Sequence, residues 1–321
     1  MTGRMAACLA LLLVLLGGLL QHAGAAGRET LSFDRIHRGK PLRVSGELLL
    51  PDGAGPFPAM VIQHGSGGVS QAREYRYAAA FVGMGVAALV VDSFGPRGVG
   101  STVSDQSSVS IIEMVHDDLA ALGVLAADPR IDPAHIGIVG FSKGGSAVLG
   151  TALKRQADRF LPGGPRFALH VAFYPACNNH YRDPAGNGAP VIMLLGGDDT
   201  YAGLEPCTEY AEMLRAAGVP LTVRTYPGAR HGFDGERAYS LAGGENWSAC
   251  VFEEQADGSW RERSSGATTF NADGTRNREG VARAIAACRR LGVSGGPDPA
   301  ARDASMTELT AAIRRHLPGG E

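Results

Sequence analysis

A serine between two glycines is the strongest chemical signal in the sequence. Ser142 lies between Gly140 and Gly144 and closely follows the apolar run 136–139. An apolar strand that passes through a glycine-lined turn into a helix projects a serine hydroxyl above the sheet. The start of the helix carries partial positive charge, which stabilises an oxyanion. The pattern therefore predicts Ser142 as a nucleophile and the backbone N–H of Lys143 as an oxyanion donor.

A serine hydroxyl is a weak nucleophile at neutral pH and needs a base that a third group holds in place. When the nucleophile lies on such a turn, the expected chain order is serine, then a carboxylate, then histidine. Asp198 and Asp199 follow the apolar run 191–195, and His231 follows the run 221–226. Because sites in open α/β sheets form at the carboxyl ends of strands, we expect His231 to be the base and one of the two aspartates to be the acid.

Eight other histidines compete for the role of base, and none has the required order and placement. By position they are assigned to a leader (His22), solvated segments (His37, His135, His316), the end of an early strand (His64), the exposed face of a helix (His116), a packed strand (His170) and a loop (His180). For His180, contact with substrate is the alternative to a plain loop position.

A second glycine-rich loop follows the apolar run 59–63 and begins at His64. Such a loop supplies the second oxyanion N–H when it lies beside the nucleophile, and Gly65 or Ser66 is the simplest donor. The alternative is a turn that only reverses the chain. The downstream serine turn favours the catalytic interpretation.

The elements that must position these groups follow from hydrophobic runs and periodicity. Strands are expected at residues 42–50, 59–63, 86–91, 136–139, 168–174, 191–195 and 221–226, and helices at 71–84, 111–127, 146–155, 206–217, 278–290 and 306–316. Strands that are apolar throughout and alternate with helices predict a mostly parallel, doubly wound sheet with helices on both faces. Since no repeat or linker divides this pattern, we expect one α/β domain over 27–321, with a polar insertion or lid-like excursion at about 235–277.

The N-terminus has the three-part layout of a secretory signal peptide. Arg4 precedes an apolar run over 5–20, and small residues at 23–26 provide a cleavage site near Ala25 or Ala26. The alternative is an uncleaved membrane anchor, but the run is shorter than the roughly 20 residues that a spanning helix needs. We therefore expect residues 1–26 to be removed and the protein to be exported to the periplasm or the medium, with no stable membrane span.

Export changes the interpretation of the cysteines, because Cys8 leaves with the leader and four cysteines remain. An even number in an oxidising compartment indicates disulfides, and four cysteines allow three pairings. Cys177 follows the strand 168–174, and Cys207 opens the helix 206–217. Because consecutive strands in such a sheet are usually neighbours, we expect these two to be joined, which leaves the pairing of Cys250 with Cys288 open.

Other functional classes lack support in the composition and spacing. The formal net charge of −2 at pH 7 gives no electrostatic footprint for nucleic acid. No Cys or His spacing typical of zinc occurs, so we expect neither a metal nor a cofactor.

The segments that carry these residues resemble the dienelactone hydrolase family. The resemblance rests on residues 63–68, 92–98, 140–145, 174–177, 196–199, 206–207 and 231–234. It implies the α/β-hydrolase fold, a triad of Ser142, Asp199 and His231, and hydrolysis of an ester or lactone. Asp199 is favoured over Asp198 because the family's acid lies three residues after the glycine that ends the strand. Best-known members carry cysteine where this chain has Ser142.

Within the segment 92–98, Arg97 is a candidate for binding a substrate carboxylate. The substrate is expected to be a small ester or lactone, and the oligomeric state stays open. Two further functions remain as alternatives within the same fold: a peptidase or acetyl-carbohydrate esterase with the same triad, and a non-catalytic binding protein.

Overall fold

The computed structural model describes residues 27–37 and 40–318. The strands, in chain order, are β1 (Arg28–His37), β2 (Lys40–Leu49), β3 (Phe57–Gln63), β4 (Ala87–Asp92), β5 (Ile131–Phe141), β6 (Leu169–Phe173), β7 (Asn179–His180), β8 (Val191–Gly196), β9 (Leu221–Tyr226), β10 (Tyr239–Asn246), β11 (Phe252–Glu254), β12 (Trp260–Glu262), β13 (Thr268–Phe270) and β14 (Arg290–Gly295). The helices are α1 (Glu74–Val82), α2 (Ile111–Ala126), α3 (Lys143–Ala152), α4 (Lys154–Phe160), α5 (Leu204–Ala216), α6 (Arg278–Cys288) and α7 (Pro299–His316).

A single eight-stranded sheet organises most of these elements, in the order β1-β2-β4-β3-β5-β6-β8-β9. The six strands from β4 to β9 in this order are parallel, and β1 and β2 are antiparallel at one edge. Strands β3, β6 and β8 are buried almost throughout, as expected of a parallel sheet covered on both faces. The predicted α/β-hydrolase fold is confirmed.

Helices pack on both faces of the sheet, and an apolar core lies between the sheet and the helices on each face. The core on one face includes side chains from α2, α3 and α5, among them Met114, Leu122, Val148 and Leu214. The core on the other face includes side chains from α1 and α7, among them Tyr77, Phe81, Leu309 and Ile313. Burying each side chain of this size stabilises the fold by roughly 1.5 to 3 kcal/mol. The strand ends, which lie between the two cores, are therefore held firmly in place.

Several elements differ from the sequence-based expectation, which also did not include strands β7 and β14. β1 was not expected; it is an edge strand that pairs along its length with β2, and its charged residues hide the alternation. The helix predicted at 146–155 is two helices, because Leu153 has an extended backbone conformation (φ −75°, ψ 125°). The last helix starts at Pro299 rather than 306, since the Asp298 side chain accepts the Ala301 N–H and caps it.

The polar segment at 235–277 contains four short strands. β10 pairs with β14, and β11, β12 and β13 form a second sheet with β7. Three of these strands have only three residues each, which is too short for hydrophobic alternation to be recognised in a sequence. The segment is therefore folded against the main body.

Two disulfides tie the loops. Cys177 and Cys207 are joined, as predicted, with their Cα atoms 4.8 Å apart. Cys250 and Cys288 form the second bridge, with a Cα separation of 5.0 Å. The predicted leader at 1–26 lies outside the described residues. Of the helices that are described, none has the length and apolar character needed to cross a bilayer.

Candidate active site

Ser142 occupies the turn between β5 and α3 in a conformation that its neighbours impose. Its φ is 55°, which a non-glycine residue adopts only under constraint. A Cβ on Gly140 would lie 2.4 Å from the Gly144 carbonyl oxygen, and a Cβ on Gly144 would lie 2.4 Å from the Gln63 carbonyl oxygen. Both glycines are therefore required by packing, and the turn presents the Ser142 hydroxyl at the carboxyl edge of the sheet.

The structure brings Ser142, His231 and Asp199 into one hydrogen-bonded chain. His231 Nε2 lies 2.8 Å from Ser142 Oγ, and His231 Nδ1 lies 2.7 Å from Asp199 Oδ2. With Asp199 ionised, Nδ1 carries the ring proton and donates a hydrogen bond to the carboxylate, and Nε2 is left as the acceptor for the serine hydroxyl. All three residues come from different strand ends, as the sequence predicts.

Asp199, and not its neighbour Asp198, is the carboxylate on His231. Asp199 is buried and Asp198 is exposed. The other oxygen of Asp199 accepts the backbone N–H groups of Tyr201 and Ala202, each at 2.9 Å. Burial opposes ionisation, but the charge of His231 and these hydrogen bonds outweigh it and hold the pKa of Asp199 below its ordinary value.

Two tyrosine rings enclose the His231 ring. Tyr174 packs edge-on with ring centroids 4.8 Å apart, and Tyr201 packs at 4.6 Å. Tyr174 has a φ of 35°, and its hydroxyl hydrogen-bonds to the buried carboxylate of Asp234. The Arg76 guanidinium donates to the Asp234 carbonyl oxygen at 2.7 Å. These supporting contacts were not predicted from the sequence, although Asp234 lies only three residues after His231.

The loop after β3 lies against the nucleophile. A Cβ on Gly65 would be 3.4 Å from Ser142 Cβ, so the backbone of this loop passes directly beside the serine. His64 is fully buried, and burial lowers its pKa to about 4. The neutral ring accepts the Ser93 N–H at Nε2 (3.2 Å) and faces the Gly65 carbonyl oxygen with Nδ1 (2.8 Å). These bonds position Gly65 and Ser66, the residues predicted to supply an oxyanion N–H.

The Lys143 side chain has a partner network that the sequence did not indicate. Its backbone N–H is at the first position of α3, as required of an oxyanion donor. Its ammonium is buried and donates to Thr102 Oγ1 (3.1 Å) and to the Gln106 carbonyl oxygen (2.8 Å). Burial lowers the pKa of this ammonium to about 7, against the opposing effect of nearby acids.

Arg97 does not provide a free cation for a substrate carboxylate. Its guanidinium donates to both oxygens of Asp117, at 2.7 and 3.1 Å, and to the Ser93 carbonyl oxygen at 2.7 Å. Only 4% of the side chain is exposed. That prediction was wrong because helix α2 brings Asp117 to the guanidinium, a contact twenty positions away in the chain.

His180 is a buried residue of a short strand rather than a loop residue. It lies in β7, its Nε2 is 3.3 Å from the Pro206 carbonyl oxygen, and its ring stacks on Tyr210. These partners belong to α5 and not to the triad. The positions of two more histidines can be compared with their predictions. His170 is packed in the core, as predicted. His116 was predicted to be exposed but is half-buried against Phe160.

Nucleophilic acyl transfer requires a proton acceptor on a serine hydroxyl, an ionised acid behind that acceptor and backbone donors beside the hydroxyl.

Within residues 27–37 and 40–318, no group of three or more His, Cys, Asp or Glu side chains is placed to hold a metal ion.

Comparison with known proteins identifies the family. The sequence profile of the dienelactone hydrolase family matches residues 44–257. The chain belongs to the dienelactone hydrolase family. An uncharacterised protein of Mycobacterium tuberculosis is 26% identical over 218 residues, which cover 64% of this chain and 73% of the relative. A Synechocystis sp. protein named as a carboxymethylenebutenolidase is 27% identical over 208 residues, covering 60% and 82%.

Solved structures support the same fold. A dienelactone hydrolase-like promiscuous phosphotriesterase from metagenomic libraries superimposes with a TM-score of 0.60 at 19% identity, covering 92% of this chain and all of that one. A Klebsiella pneumoniae protein described as a dienelactone hydrolase gives 0.56 at 15% identity, covering 90% and 99%. This member of the family is a hydrolase with the α/β-hydrolase fold.

Proposed function

We propose that this member of the dienelactone hydrolase family hydrolyses a carboxylic ester or lactone through an acyl-enzyme on Ser142. The observation that carries the proposal is the continuous chain of hydrogen bonds from Ser142 Oγ through His231 to Asp199, at 2.8 and 2.7 Å. Family membership and the name of the Synechocystis relative, a carboxymethylenebutenolidase, support the substrate class.

The acylation step uses each member of the chain. Ser142 Oγ bonds to the carbonyl carbon while its proton passes to His231 Nε2, and the carbonyl π electrons move onto the oxygen. The negative oxygen is stabilised by the backbone N–H of Lys143 and by Gly65 or Ser66. The intermediate then collapses, the bond to the leaving oxygen breaks, and that oxygen takes the proton from His231.

Deacylation repeats the sequence with water. His231 removes a proton from a water molecule whose oxygen attacks the acyl carbon, and Ser142 Oγ leaves with that proton. The products are a carboxylic acid and the free enzyme. Throughout both steps the ionised Asp199 stabilises the imidazolium form of His231, which is why its lowered pKa suits the role.

Fluorophosphonate labelling tests the nucleophile. We expect the wild-type enzyme to be labelled once, on Ser142, and to hydrolyse p-nitrophenyl acetate. Ser142→Ala should keep the fold and lose at least about a thousandfold in turnover. An unlabelled wild-type protein would indicate the binding-protein alternative, and a Ser142→Ala variant with near-wild-type turnover would contradict the proposal.

A substrate panel tests the class. Aryl esters of increasing chain length, lactones, acetylated sugars and a peptide anilide should be compared by kcat/KM. We expect esters or lactones to lead, and a clear preference for the anilide or the acetylated sugars would establish one of the other hydrolase activities.

A further inference from the structure

Gln106 makes contact with three separate parts of the active site and with Glu245 outside it. It lies in the segment 101–106, which precedes α2 and is defined here as the clasp segment. The Gln106 side chain accepts the Ser66 hydroxyl at 3.0 Å through Oε1, and its Nε2 lies 3.2 Å from the Tyr201 hydroxyl. Its backbone carbonyl accepts the Lys143 ammonium at 2.8 Å, and its backbone N–H donates to Glu245 Oε2 at 2.8 Å.

Each contact leads to a different functional group. Ser66 belongs to the loop that supplies the second oxyanion donor. Lys143 directly follows the nucleophile. Tyr201 packs on the ring of His231, and its backbone N–H donates to Asp199. The half-buried Gln106 therefore links the oxyanion loop, the nucleophile turn and the acid loop, while Glu245 of β10 anchors it from outside.

The clasp segment also holds the oxyanion loop directly. The Ser66 carbonyl oxygen accepts the Thr102 N–H at 2.8 Å and the Ser101 hydroxyl at 3.0 Å. Together with the bond from Ser66 Oγ to Gln106, three hydrogen bonds fasten one residue of that loop. Backbone donors accelerate acyl transfer only when they are held in place before the charge develops.

We propose that Gln106 is a positioning residue: through Ser66 and Tyr201 it fixes the oxyanion loop relative to His231. The inference rests on the proposed function. An amide suits this place because one end accepts the Ser66 hydroxyl while the other donates to Tyr201. A residue that only stabilises the fold would affect the melting temperature and leave turnover unchanged.

Gln106→Met removes both side-chain hydrogen bonds and retains the length of the side chain. We expect kcat for p-nitrophenyl acetate to fall by about 10- to 100-fold, less than the roughly 100- to 1000-fold cost of removing one oxyanion donor outright, with KM within about threefold. Gln156→Met is the matched control. Gln156 lies in α4, is buried, and like Gln106 donates to a tyrosine hydroxyl, that of Tyr181 at 3.4 Å. It should keep kcat within about twofold.

Gln106→Glu and Tyr201→Phe keep the proposal testable where Gln106→Met does not fold. The carboxylate of Gln106→Glu would oppose the developing oxyanion, so we expect its kcat to fall at least as far. Tyr201→Phe retains the ring on His231 but loses the hydroxyl partner of Gln106. Its loss in kcat should not add to that of Gln106→Met, because both remove the same bond.

Two results of steady-state kinetics would overturn the proposal. The first is a kcat of Gln106→Met or Gln106→Glu that matches the Gln156→Met control. The second is a raised KM with unchanged kcat, which indicates substrate binding rather than positioning. Fluorophosphonate labelling separates these results from failure of the proposed function: wild-type enzyme that is not labelled refutes the nucleophile, whereas labelling of Gln106→Met at the wild-type rate refutes only the positioning role.

Discussion

His231 is held by Asp199 at Nδ1 and by the rings of Tyr174 and Tyr201 on its sides. Tyr174 is in turn fastened by Asp234. A histidine ring that is confined in this way keeps one tautomer and one orientation toward Ser142. At the scale of single residues, the catalytic rate is therefore expected to depend on which carboxylate meets Nδ1.

Asp199→Asn should reduce kcat by about a hundredfold to ten-thousandfold, because the amide cannot stabilise the imidazolium and favours the wrong tautomer. Asp198→Asn is the control, since Asp198 is exposed and lies one position away. Its kcat should stay within about threefold of wild type. Steady-state kinetics on one ester decides the point, and a larger loss for Asp198→Asn would contradict the assignment.

Lys143 should make the stability of the protein depend on pH between about 7 and its ordinary pKa of 10.5. Its folded pKa is lowered, so over this interval the unfolded chain binds a proton that the folded chain does not. The free energy of unfolding of wild type should therefore rise with pH relative to Lys143→Met, by up to about 1.4 kcal/mol per pH unit. This gain in the free energy of unfolding of wild type relative to Lys143→Met should be lost as the pH falls through about 7.

Urea unfolding of both proteins at pH 6.5, 8 and 9.5 measures this difference. Lys154→Met serves as a control because the Lys154 side chain is largely exposed. Its difference from wild type should not change over the same interval. Parallel stability curves for wild type and Lys143→Met would show that the ammonium keeps its ordinary pKa.

The loop after β8 carries Asp199, and the loop after β6 carries Tyr174, which packs on His231. Two separate elements brace these loops. The Cys177–Cys207 bridge joins the loop after β6 to the start of α5. From the other side, Asn246 of β10 donates to the Thr200 carbonyl oxygen at 2.9 Å, beside Asp199. The polar segment at 235–277 thus braces the loop that carries Asp199, although its sequence predicts a lid-like insertion.

Replacing both cysteines of one bridge with serine distinguishes these braces. Each variant should lose roughly 3 to 4 kcal/mol of stability by the chain-entropy account, since the two loops closed are of similar length, with separations of 30 and 38 residues. We expect Cys177→Ser/Cys207→Ser to lower kcat more than Cys250→Ser/Cys288→Ser, because the first bridge borders the acid loop. Equal kcat values at a temperature where both are folded would contradict this.

For the whole molecule, the leader and the four remaining cysteines lead to one further proposal. We propose that the enzyme is exported, with residues 1–26 removed and both bridges formed outside the cytoplasm. Buried disulfides are rare in reducing compartments, and all four cysteines are buried. Export and disulfide formation are then parts of one maturation.

Exported material should therefore begin near residue 26 or 27 and contain no alkylatable thiol without reduction. Intact mass and N-terminal sequencing after iodoacetamide treatment measure both properties. After reduction under denaturing conditions, four thiols should react. Exported enzyme that retains Met1 would rule out the leader, and free thiols at Cys177 and Cys207 would exclude the bridge as a feature of the mature enzyme.

Local patterns in the sequence were sufficient to predict seven of the eight strands of the main sheet, the turn that carries Ser142 and the chain order of Ser142, Asp199 and His231. Each depends on neighbours in the chain: apolar runs define buried strands, Gly140 and Gly144 define the turn, and the order of Ser142, Asp199 and His231 follows the strand order. Strands β1, β7, β10 and β14 and the three-residue strands were not expected, since their formation depends on partners elsewhere in the chain.

Only the tertiary structure decided which side chains support the site. Arg97 became a structural residue because α2 brings Asp117 to it, and Gln106 became a link because the loop after β3, the start of α3 and the loop after β8 meet at it. Contacts between residues far apart in the chain leave no periodicity in the sequence. The chemistry could therefore be inferred from local spacing, whereas the support of that chemistry depends on packing.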